Sequence, residues 1–109
     1  MIFKRRFGDL IDRQLDLFEQ DHAELLQRVA DAEDDYRRAG RGEAEERFGE
    51  LQDVLLEGTE ILIDLRDNYA GTLDDEAAEE YAVAFNFRVL GRFPQFALEL
   101  EDEEEAEDE

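Results

Sequence analysis

Hydrophobic residues between Ala44 and Tyr69 recur with the most regular helical spacing in the chain. Ala44, Phe48, Leu51, Leu55, Gly58, Leu62, Leu65 and Tyr69 follow one another at steps of four and three, which places all of them along one seam of a helix. Val54 with Ile61, and Leu56 with Ile63, flank that seam on its two sides. A single partner helix does not cover so wide a face. The pattern therefore predicts a helix over about 43–70 lying between neighbours, either from its own chain or from a second copy. A homodimer is the expectation for so much apolar surface on a short chain, with its contact either on the uncovered side of this helix, through Leu56 and Ile63, or on the third helix.

The stretch before it reads as one long helix over about 3–39. Its seam passes through Phe7, Ile11, Gln14, Phe18, His22, Leu25, Val29, Ala32, Tyr36 and Ala39, and the phase slips slightly between Phe18 and Leu25. Gly40-Arg41-Gly42 then offers residues that leave the helical region cheaply, with Arg37 and Arg38 placed to favour a helix C-terminus. If the chain reverses there, residue i faces about residue 82 − i across an antiparallel hairpin. Gly58 falls opposite the His22–Leu25 region in that register, so His22 or Leu25 is expected to pack over it.

Gly71 predicts the end of the middle helix, and Thr72 or Asp74 the cap of a third over about 75–90, whose apolar stripe runs through Ala77, Ala78, Tyr81, Phe85 and Val89. Gly91 and Pro94 stop it. Phe93 to Leu100 alternates like a strand yet also fits one helix face, and is expected to form a strap across the bundle or a short helix. From Glu99 onward nine of eleven residues are acidic, a composition that predicts a disordered, solvated tail over 99–109. The expected fold is all-α: a three-helix domain over 1–98, built on a long antiparallel helical hairpin, with the strap and the tail following.

Charge narrows the functional classes. Thirty-three carboxylates against twelve basic groups give a net charge of −21, which repels nucleic acid and anionic lipid and favours basic protein partners. The longest run of aliphatic and phenylalanine residues, Ala82 to Phe85, is four residues. Neither a membrane-spanning segment nor a secretory signal is predicted, and the expected location is the cytoplasm. Ile2, Phe3 and Phe7 beside Lys4, Arg5 and Arg6 resemble a short membrane hook, but a helix entry with snorkelling cations explains the same letters.

The middle helix carries a second regular series, Glu46, Glu50, Asp53, Glu57, Glu60, Asp64 and Asp67. Each stands two residues after a seam position and so faces water. A solvated outer face accounts for this series, and an acidic ridge for docking a basic surface is its functional counterpart. The partner-binding residues expected on this reading are Glu57, Glu60 and Asp64, with Phe93, Phe96, Leu98 and Leu100 of the strap as an anchor.

Catalytic classes lack their parts. The chain has neither cysteine nor serine, and one histidine, which removes the usual nucleophile triads; Gly40-Arg41-Gly42 lacks the spacing of a phosphate loop. Glu19-Gln20-Asp21-His22 resembles half of the di-iron carboxylate pattern of ferritin-like bundles, and two copies in a homodimer would supply two halves. Such a site also needs an inward glutamate on the paired helix, and the seam of the middle helix offers none. The sequence thus predicts a non-catalytic accessory or regulatory protein that needs no cofactor and binds a basic macromolecule. The alternative is a carboxylate-rich metal-binding bundle using Glu19 and His22.

Overall fold

The computed structural model describes residues 2–96, with side chains from Arg6 onward. The described chain is all helix and turn: α1 Ile2–Asp21, α2 Ala23–Arg38, α3 Ala44–Ala70 and α4 Asp75–Arg92, followed by a short helical turn at 94–96. No helix is long and apolar enough to cross a membrane among the described residues.

The single long helix expected before Gly40 is two helices. His22 separates them with φ −122° and ψ 35°, although the backbone ladder continues on either side through His22 N–H to Phe18 O (2.9 Å) and Leu26 N–H to His22 O (3.0 Å). Neither proline nor glycine stands at this break, so its cause lies in packing rather than in local chemistry. The two helices serve different partners. α1 lies on α4 and α2 on α3.

Contacts between α1 and α4 advance together along both helices. Arg6 meets Glu80, Phe7 meets Tyr81, Asp12 meets Arg88, Asp16 meets Arg92 and Phe18 meets Phe93, so the two run parallel. α2 and α3 are antiparallel, through Tyr36 with Phe48 and Arg28 with Glu57. Those pairs sum to 84 and 85, a register two to three residues away from the expected one. α3 and α4 are also antiparallel, through Tyr69 with Tyr81 and Arg66 with Asn86. α3 thus spans the molecule, with α2 along its first half and α4 along its second.

The core is continuous from Phe7, Ile11, Leu15 and Phe18 of α1 through Leu25 and Val29 of α2 and Leu51, Val54 and Leu62 of α3 to Tyr81, Phe85 and Val89 of α4. Its last members are Phe93 and Phe96. Phe96, wholly buried, is the residue over Gly58: a Cβ on Gly58 would stand 2.5 Å from the Phe96 ring. The expectation of His22 or Leu25 at this place is therefore corrected. The missing side chain admits a ring from the far end of the chain, not one from the adjoining helix.

Turns are closed by ordinary backbone. Ala39 leaves α2 in an extended conformation, and no glycine among the described residues adopts a positive φ. Of the two capping candidates before α4, Asp74 accepts from Ala77 N–H at 2.9 Å, while the Thr72 hydroxyl donates to Tyr69 O at 2.7 Å and closes the end of α3. Residues 97–109, which hold the remainder of the expected strap and the acidic tail, lie outside the described residues.

Candidate docking surface

The seven carboxylates of the regular series on α3 are all exposed, as their spacing requires. They divide into two groups. Glu50 pairs with Arg47, Asp67 with Arg66, and Glu57 takes a two-pronged contact from Arg28, with Nη1 to Oε1 at 3.2 Å and Nη2 to Oε2 at 3.0 Å. The hydrogen bond from Arg28 holds the Glu57 carboxyl below its ordinary range, and the same contact raises the Arg28 guanidinium. Glu46, Asp53, Glu60 and Asp64 form no ion pair among the described residues.

Next to the unpaired group the molecule opens. A groove of about 480 Å³ runs along α3 over Phe48, Leu51, Leu55, Leu56 and Thr59, with Gln52, Asp53 and Gln95 at its rim. Phe48 and Leu56 are 43% and 51% exposed. Thr59 is 2% exposed, and its hydroxyl has no hydrogen-bond partner among the described residues. A threonine inside a helix commonly returns its hydroxyl to the carbonyl one turn back, so an orphaned one is a local defect in the packing. Leu56 has Asp53 one turn before it and Glu60 one turn after it, so an apolar strip and two carboxylates share one edge of the helix. Of the two residues expected at a dimer contact, Leu56 is exposed here, whereas Ile63 is half-buried and packs on the core.

Other residues named from the sequence lie elsewhere. Phe93 and Phe96 are 6% and 0% exposed; Phe93 sits edge-on to Phe18 at 5.4 Å and Phe96 covers Gly58, so both rings anchor the chain's own core. Leu98 and Leu100 fall outside the described residues. Glu19 accepts from Arg92 at 2.7 Å, Asp16 takes the same guanidinium at 2.7 Å, and these two hydrogen bonds raise Arg92 above its ordinary value. His22 stacks obliquely on Phe18 at 5.3 Å. No group of three or more metal-ligating side chains comes together among the described residues, so Glu19 and His22 are not joined by further ligands.

Sequence reasoning missed Gln52, Thr59 and Gln95 as members of the groove, and treated Phe48, Leu51 and Leu55 only as seam. A threonine directly after a seam glycine was the available signal. It also missed a polar contact inside the core, where Tyr81 donates to Gln14 Oε1 at 2.7 Å. Burial, above all, pushes the Tyr81 phenol up to about 12.

No family model, curated protein or solved structure matches this chain. The functional reading therefore rests on the geometry of the surface itself.

Proposed function

We propose that the chain is a non-catalytic accessory or regulatory module that docks a basic protein partner on the exposed side of α3. The observation carrying this reading is the row of unpaired carboxylates on α3, Asp53, Glu60 and Asp64, the first of which lines an open apolar groove. Exposed carboxylates alone serve solubility. An adjoining apolar surface gives a partner something to bury, while the charges draw it in and set its orientation. Glu57 contributes to the field of the ridge but already holds Arg28, so Glu60 and Asp64 are the ridge positions with free capacity.

Charge reversal tests the proposal. Glu60→Lys with Asp64→Lys should reduce capture of the basic partner from the protein's own cell extract at least tenfold and flatten its salt dependence. Equal capture by the wild-type and reversed proteins at every salt concentration would remove α3 from the account.

A further inference from the structure

Resting on the docking role proposed above, we infer that the α3 groove receives an amphipathic helix of the partner, with aliphatic or aromatic anchors on one face and lysine or arginine along one flank. From Phe48 to Thr59 the groove follows twelve residues of helix, eleven steps of 1.5 Å or about 16 Å. That length holds the two helical turns from which i, i+3, i+4 and i+7 anchors project. A volume of about 480 Å³ suits a few large side chains rather than a whole small domain.

The polar features select the flank of that helix. Asp53 and Glu60 border Leu56 on its outer edge, where a cation carried next to an anchor residue would meet them. Thr59, at the base of the groove near Gln95, retains an unpartnered hydroxyl that a polar group of the occupant would relieve.

Charge also disfavours the two occupants closest to hand. A twofold pair of chains sets the same patch against itself, so Asp53 and Glu60 would face their own copies, each chain carrying −21. The chain's own stretch from Glu99 has nine acidic residues in eleven and meets the same repulsion. A basic helix reverses the sign of that interaction.

Fluorescence anisotropy on the full chain with three labelled synthetic peptides tests the inference. The first carries leucines on one helical face and lysines on its flank, the second replaces the lysines with glutamine, and the third keeps the composition of the first with the leucine order scrambled. The first should bind at least tenfold more tightly than either other, and Leu56→Asp should weaken it at least tenfold. Val83→Asp, on the outer face of α4, should leave it unchanged, and circular dichroism checks that both variants fold. If the scrambled peptide binds as well as the first and Leu56→Asp has no effect, the groove inference fails while charge-driven docking stands. Failure of every peptide to bind at low salt, together with failure of the charge-reversal capture, sinks both. Two further outcomes overturn the choice of occupant. One is sedimentation of the free protein as a dimer that Leu56→Asp converts to monomer. The other is broadening of the Leu56 and Thr59 signals by a spin label at Leu100→Cys, a clean single site because the chain has no cysteine of its own.

Discussion

The two ends of α3 are finished differently. Around its second half, α1 and α4 close the structure: Ile11, Leu15, Tyr81, Phe85 and Val89 are wholly buried, and the parallel α1–α4 seam is laced by Arg6–Glu80, Arg88–Asp12 and Arg92 with Asp16 and Glu19. Around its first half α2 is the one helix packed on it, with Gln95 of the 94–96 turn at the edge of the groove. Phe48 and Tyr36 touch each other at 5.4 Å yet stay 43% and 41% exposed. The same kinds of residue therefore act as core at one end and as surface at the other, and what separates them is that α4, on the second half of α3, is itself backed by α1. One end holds the fold, and the other is left open.

Truncations should break along that line. Phe85→Ala, in the closed end, should destabilise the protein by about 3–5 kcal/mol, because the neighbours of a fully buried ring relax only partly into the space it leaves. Phe48→Ala, in the open end, should cost under about 1 kcal/mol. Urea unfolding midpoints of the two variants measure the contrast directly. Equal losses would mean that the open end is held as tightly as the closed one.

The junction between the ends gives a smaller effect. Gly58→Ala places a Cβ 2.5 Å from the Phe96 ring, and overpacking of this kind costs about 1–3 kcal/mol. Replacing glycine by alanine inside a helix gains up to about 1 kcal/mol in propensity, so the net change should be destabilising. A rise in thermal midpoint would show that Phe96 is free to move aside.

Tyr81 provides a pH-dependent test of the closed end. Its phenol is pushed up to about 12 in the folded protein, so the fold favours the neutral form. That contribution is complete below the ordinary phenol value near pH 10 and is lost as pH rises from about 10 to 12. Tyr81→Phe should be less stable than wild type near neutrality by about 0.5–1.5 kcal/mol, having lost the hydrogen bond to Gln14, and its stability should fall less steeply through that alkaline window. Parallel pH profiles of the two proteins would contradict the assignment.

Local chemistry made much of this legible in the sequence. The helical class follows from spacing at three and four, and Asp74, one of two capping candidates, starts α4. The solvent exposure of the α3 carboxylates follows from their offset from the seam. The break at His22 showed only as the slight phase slip between Phe18 and Leu25, since neither proline nor glycine stands there and the cause is a change of partner. Gly58 announced a close neighbour without naming it. Phe96 comes from thirty-eight positions downstream, and no periodicity reports so distant a contact. Pairing of Arg88 and Arg92 with Asp12, Asp16 and Glu19 was equally hidden, because each series alone looks like an ordinary wet helix face. For the candidate site, the carboxylates were visible and the groove was not: Phe48 stands in perfect phase with a buried seam, and only the absence of a further covering helix leaves it exposed.

Amide chemical-shift mapping during titration of the full chain with the leucine-faced, lysine-flanked peptide tests the central claim most directly. The account predicts shifts concentrated at Phe48, Leu51, Leu55, Leu56, Thr59 and Glu60, with α1 and the outer face of α4 unmoved. Shifts centred on Val83 and Leu90, or spread evenly over every acidic stretch of the chain, would contradict it.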